Sequence, residues 1–128
     1  MRRGVLLAAA CALLAAPAAR AAQPSLECYF QTTLKDAAYQ KRTFEKVAAK
    51  WKTPPAAQIP PVGKKTVVQA VIAKDGSLAT TEISTSSGKK GWDAAALAAV
   101  KAAAPFDPLP PGFNYPSVQV HFHVSVVP

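Results

Sequence analysis

Gln69-Ala-Val-Ile-Ala-Lys-Asp-Gly-Ser-Leu78 decides the fold, read together with three later pieces. These are Ser86-Ser87-Gly88, the run Trp92-Asp-Ala-Ala-Ala-Leu-Ala-Ala-Val100, and Pro105-Phe-Asp-Pro-Leu-Pro110. The order is strand, turn, strand, polar loop, alanine-rich helix and proline stop. Asp-Gly between alternating apolar residues is a strong hairpin signal, because the tightest two-residue turns need φ > 0. The spacing predicts strands over Lys65–Ala73 and Leu78–Ser84 around a two-residue Asp75-Gly76 turn. Val68, Ala70 and Ile72 are expected on the core face, with Val67, Gln69 and Val71 opposite. The helix is expected from Trp92 to Ala103, with Trp92, Ala96, Leu97, Val100 and Ala104 buried, and Pro105 ends it.

Outward from this unit, Ser117–Val127 alternates cleanly. Val118, Val120, Phe122, Val124 and Val126 fall on one face, and Gln119, His121, His123 and Ser125 on the other. That is the pattern of a half-buried antiparallel strand. Upstream, a helix is expected from Leu34 to Lys52, capped by Thr33 with Asp36 near its positive end. Phe44, Val47, Ala48 and Trp51 form its apolar stripe, with Tyr39 behind. Thr53-Pro54-Pro55 stops it. Ala22–Thr32 shows no period and reads as a mobile lead-in, and Ala56–Gly63 as a short connector. The sum is an α+β, two-layer α-β-β-α-β domain: a three-stranded antiparallel or mixed sheet with both helices on one face.

The 128-residue chain is half hydrophobic, enough for one packed domain. Arg2-Arg3, an uncharged run from Gly4 to Ala19, and Ala19-Arg20-Ala21 have the layout of a secretory signal peptide. The run is broken by Pro17 and is short for a membrane span, which needs about 20 apolar residues. The expected organisation is therefore a signal peptide over 1–21, a flexible lead-in over 22–33 and a domain over 34–128. An uncleaved anchor is the alternative. Removing Arg2, Arg3 and Arg20 lowers the formal charge from +8 to +5, set by 12 basic and 7 acidic side chains. The lysines are scattered rather than massed on one element, so no nucleic-acid partner is expected. Cys28 would be the sole cysteine of the mature chain, which excludes an internal disulfide but not a link between two chains.

Catalytic constellations are weak. His121 and His123 share a strand face, but a metal site wants three or four ligands, so no metal is expected. Ser86-Ser87-Gly88 lacks the Gly-x-Ser-x-Gly elbow of hydrolases and reads as a loop whose serines bond its own backbone. Asp75, Asp93 and Asp107 are absorbed by a turn, a helix start and a proline loop. No glycine-rich phosphate loop is present. The reading is of no enzyme, no cofactor and no small-molecule substrate.

Ile72, Asp75-Gly76, Ser86-Ser87-Gly88, Trp92-Asp93, Ala96-Leu97 and Pro105-Phe106-x-Pro108-x-Pro110, in that order and without insertion, resemble the C-terminal domain shared by TonB and TolA proteins. The resemblance runs from about Tyr39 to Val127. It implies a binding module of the periplasm whose last strand lies at a sheet edge, beside the first strand, and accepts an extended peptide of an outer-membrane receptor or other envelope protein. On that implication the partner-binding segment is Gln119, Val120, His121, Phe122, His123, Val124 and Ser125. The chain departs from a full energy transducer in showing neither a long anchor nor a long proline-rich spacer. A short-anchored transducer facing the periplasm from the inner membrane, and a homodimer formed by edge-strand pairing, are the alternatives.

Overall fold

The computed structural model describes residues 23–128, so the expected leader over 1–21, and Cys11 within it, lie outside the described residues. The elements are β1 (Gln23–Phe30), α1 (Ala37–Lys50), a 3-10 turn (Ala56–Gln58), β2 (Lys65–Ala73), β3 (Leu78–Thr85), α2 (Lys90–Ala103) and β4 (Ser117–Val127). The four strands form one antiparallel sheet in the order β1-β4-β2-β3. One face of this sheet carries the core: Val68, Ala70 and Ile72 of β2 and Val118, Val120 and Phe122 of β4 have no exposed surface. Trp92, Ala96, Ala99 and Val100 of α2 and Tyr39 and Val47 of α1 close over them.

The class is the one the sequence predicts, with a fourth strand added. Gln23–Phe30 lies within the stretch read as a lead-in, and it pairs along β4 from Gln23↔Val127 to Phe30↔Val120. The physical reason is an alternation that Tyr29 beside Phe30 obscures. Leu26, Cys28 and Phe30 pack against the core, whereas Ser25, Glu27 and Tyr29 face away from it. The last strand does lie beside the first hairpin strand, as the resemblance implies. It is not at the edge, because β1 covers its outer side.

The β2–β3 turn is longer than the expected two residues. The Gly76 amide donates to the Ala73 carbonyl (2.9 Å) and the Ala73 amide to the Ser77 carbonyl (2.8 Å). Lys74, Asp75 and Gly76 therefore form a three-residue loop, with Gly76 at φ 93°. This loop is clasped by the proline segment after α2. The Phe106 amide donates to the Gly76 carbonyl (2.8 Å), and the Leu109 amide to that of Lys74 (3.0 Å). A Cβ on Gly76 would stand 2.0 Å from the Phe106 carbonyl oxygen. The Asp-Gly and Pro-Phe-x-Pro motifs are thus two halves of one contact.

Helix α1 starts later than expected. Asp36, not Thr33, is its N-cap, accepting a bond from the Tyr39 amide at 2.9 Å, while Leu34 is buried ahead of the helix. Its buried line is Tyr39, Thr43 and Val47. Phe44 and Ala48, placed by periodicity in the core stripe, sit on its flank and are exposed. Trp51 leaves the helix to meet Trp92 edge-on, with ring centroids 4.8 Å apart. The C-terminal end of α2 is likewise rotated: Ala99 and Ala103 are buried, and Leu97 and Ala104 only partly.

Candidate partner-binding strand

Strand β4 is the longest in the sheet at 11 residues and the only described strand flanked on both sides by others besides β2. An antiparallel strand directs its backbone groups alternately to its two neighbours. The Val126 amide donates to the Lys64 carbonyl (3.2 Å) and its carbonyl accepts from Gly63 (3.0 Å), so the even-numbered residues bond towards β2. The Gln119 carbonyl accepts from the Gln31 amide (2.9 Å), so the odd-numbered ones bond towards β1. Of the predicted segment, Gln119, His121, His123 and Ser125 therefore offer their main-chain groups to the outer side. Val120, Phe122 and Val124 offer theirs to β2 and their side chains to the core. The structure brings all seven residues onto one strand, and the outer four are engaged by β1. Gln31 extends that engagement, its side-chain Oε1 accepting from the Gln119 amide at 3.3 Å.

The face of β4 away from the helices is polar. Tyr29 stacks edge-on against His123 with centroids 4.6 Å apart, and Glu27 is the cross-strand partner of His123. Burial, with the positive charge of Lys65 and then His121 nearby, holds His123 below the usual histidine range, and Glu27 acts in the opposite sense. Gln119 Nε2 and His121 Nε2 lie 3.4 Å apart. On the core face of β1, burial pushes the Cys28 thiol up to about 12, so it is an unreactive packing group. Between β1 and the helices a groove of about 230 Å³ remains, lined by Pro24, Leu26, Phe44, Ala48, Trp51 and Val124 among others.

Ser86 and Ser87 bond their own loop backbone as expected, Ser86 Oγ accepting from the Gly88 amide (3.0 Å) and Ser87 Oγ from the Lys89 amide (3.2 Å), and both also reach Asp93. Asp93 Oδ1 accepts from the Thr66 hydroxyl (2.5 Å), the Ser87 amide (2.9 Å) and the Ser87 hydroxyl (2.8 Å), and Oδ2 accepts from the Ser86 hydroxyl. Burial works against the Asp93 carboxylate, but the bonds from Ser86, Thr66 and Ser87 outweigh it and hold its pKa below the ordinary value. The loop, the start of α2 and the start of β2 are tied at this one carboxylate. Among the described residues no group of three or more His, Cys, Asp or Glu side chains is arranged to hold a metal.

The family model described as TonB C terminal matches residues 36–122, more than half of the chain, and the chain belongs to that family. Domains of this family are protein-interaction modules of the cell envelope, with envelope or outer-membrane proteins as their general class of partner. No curated protein and no solved structure is similar enough to count as a match. The matched region opens at the N-cap of α1 and closes inside β4, so β1 lies wholly outside it. No helix among the described residues is long and apolar enough to cross a membrane.

Proposed function

We propose that the protein docks an extended segment of an envelope or outer-membrane protein by adding it as a strand along β4, at Gln119–Ser125, in the service of TonB-type transport. The observation that carries this reading is that the outer side of β4 already takes an antiparallel strand, and takes it from outside the matched family region. The edge is thus competent for strand addition, in which main-chain bonds supply affinity and alternate side chains supply choice. The polar face around His121 and His123 tunes that choice. Residues 1–21 act as an export signal on this reading, and the mature protein works free in the periplasm without catalysis.

The test is backbone NMR on the protein titrated with synthetic extended segments from the envelope proteins of its own cell. Shifts concentrated on Gln119–Ser125 and on β1 are expected. Binding that instead perturbs Leu78–Thr85, or no binding by any segment, overturns the assignment. Homodimer formation by edge pairing would use one of the two outer strands, β1 or β3, and β3 is the poorer template. Its register with β2 shifts twice, at Val67/Val68 and Val71/Ile72, and such irregularities twist an edge away from continuous pairing. The intact mass from fractionated cells tests export: a soluble species beginning at Ala22 is expected, and a full-length membrane-bound species would favour the anchored transducer.

A further inference from the structure

We infer that β1 is a self-supplied occupant of the β4 edge, replaced during binding by a partner strand of matching pattern. That strand runs antiparallel to β4 and carries bulky apolar residues where this chain has Pro24, Leu26, Cys28 and Phe30, and an acidic residue where it has Glu27. This inference rests on the strand-addition reading above and names the partner's chemistry and the gate that partner must open.

Four features carry it. First, β1 is outside the family region and leads into it through the short segment Gln31–Lys35. Secondly, its inward residues Leu26, Cys28 and Phe30 are only partly buried, whereas Val120, Phe122, Val124 and Val126 beneath them are at most 3% exposed. Removing β1 sacrifices less packing than removing β2 or β4, whose core-facing residues are buried. Thirdly, the groove beside Pro24 and Leu26 is apolar and unfilled, so a larger side chain there gains contacts that β1 does not make. Fourthly, Glu27 sits opposite His123 with Lys65 close by, a basic setting that favours an acidic residue in any strand lying there. Intramolecular occupancy of this kind weakens the apparent affinity of a competitor by the fraction of time the edge is free.

Cys28 reports on the gate, because its thiol is shielded only while β1 is docked. The experiment uses the full chain with Cys11→Ser, leaving Cys28 as its single thiol. The probe is a synthetic Gln23–Phe30 peptide carrying Leu26→Phe and Cys28→Val, with a scrambled peptide of equal composition as control. Saturating probe is expected to raise the rate of Cys28 alkylation by roughly tenfold or more, and the scrambled peptide to leave it unchanged. Two variants bracket the gate. Glu27→Pro deletes an amide directed at β4 and is expected to tighten probe binding about tenfold if the docked form outweighs the free one by that ratio. Ser25→Cys with Ser125→Cys, in a Cys28→Val background, locks β1 down. The two positions are paired directly, at a separation of about 5.5 Å between Cα atoms for a hydrogen-bonded pair, which a disulfide spans. The oxidised form is expected not to bind, and reduction to restore binding. Equal binding by oxidised and reduced forms, with Cys28 still shielded in the single-thiol chain, overturns the displacement of β1 while leaving a binding module with another edge. Failure of the probe to bind the reduced form and Glu27→Pro alike overturns strand addition at β4 itself. Should Glu27→Pro not fold, the locked and reduced forms decide alone.

Discussion

Strands β1 and β2 flank β4 from opposite sides, make the same kind of antiparallel ladder, and are held by different means. Strand β2 is pinned along its length: Val68, Ala70 and Ile72 are wholly buried. Thr66 is bonded to Asp93, and the β2–β3 turn is clasped by the segment after Pro105. Strand β1 has its ladder, three half-buried apolar side chains and a groove beside them. A main-chain hydrogen bond contributes only about 1 kcal/mol net in water. The side chains and polar ties therefore decide which neighbour of β4 is permanent. The difference teaches that a sheet can be uniform in its ladder and still divide into a fixed part and an exchangeable part.

The comparison breaks most visibly at Gly76. Gly76→Ala sets a Cβ 2.0 Å from the Phe106 carbonyl oxygen and imposes strain at φ 93°. A loss on the order of 4 kcal/mol is expected, since backbone rather than a flexible side chain must give way. Urea denaturation measures it. A loss below about 1 kcal/mol would mean that the clasp on β2 is loose and that β2 is no better fixed than β1.

Asp93→Ala comes next, at about 3 kcal/mol, because it strands the buried hydroxyl of Thr66 and the Ser87 amide without an acceptor. The same carboxylate gives an acid-sensitive contribution. Its folded pKa lies below the unfolded one, so the stabilisation is complete above the ordinary carboxylate value near 3.9 and fades as pH falls from there through the lower folded value. Wild type is expected to lose stability steeply below about pH 4, and Asp93→Asn to lose less over that interval. Parallel acid profiles for the two proteins would remove Asp93 from the account of why this side of the sheet is fixed.

Leu26→Ala sharpens the comparison from the other side. It is expected to lower global stability by only about 1 kcal/mol, as a half-buried leucine should. Amide exchange should respond selectively. Gln119, His121, His123 and Ser125, whose amides face β1, are expected to exchange faster in the variant, while Val120, Phe122 and Val124, bonded towards β2, keep wild-type protection. An alternating profile along one strand is a signature that global unfolding does not produce. Uniform acceleration of all seven amides would show that β1 is part of the cooperative core.

The fixed part is also the part that was legible in the sequence. Lys65–Ala73 and Ser117–Val127 follow from alternation alone, and α2 from its alanine-rich run and the proline that stops it. Strand β1 was hidden because Pro24, and Tyr29 directly before Phe30, blur a three-residue alternation that is too short to stand without its partner. Its partner is some ninety residues away, and pairing at that distance leaves no local mark. The rotation of α1 was hidden for a related reason. Phe44 and Ala48 keep the helical period of a core stripe, but which of two adjacent stripes faces the sheet depends on where β1 lies. For the candidate site, the seven residues of β4 were readable as a strand with two faces. That four of them point main-chain groups at an occupied edge was not, since periodicity reports side-chain direction and is silent on hydrogen-bond partners. The role of Asp93 was within reach: three hydroxyl-bearing or glycine residues at Ser86-Ser87-Gly88, a few positions ahead of a helix-start aspartate, are what a carboxylate-centred loop requires.

The smallest effect, and the finest test of how β1 and β2 differ, concerns His123. Its folded pKa is depressed by burial under Tyr29 and by Lys65 and His121, with Glu27 opposing. As pH falls below the ordinary value of about 6.5, the exposed ring takes its proton first, so the state in which His123 is uncovered gains at the expense of the docked one. Covering comes from β1, so the release of β1 should become more frequent on acidification, while β2, whose facing residue Val67 does not titrate, stays in place. The expected change is under about 0.5 kcal/mol between pH 7.5 and pH 5.5, after allowance for solvent screening. Once intrinsic exchange rates are corrected for pH, the Glu27 and Tyr29 amides should lose protection across that interval in wild type and not in His123→Gln. If both proteins lose it equally, the acidic loosening of β1 belongs to another group, and the ring of His123 is a bystander on the polar face.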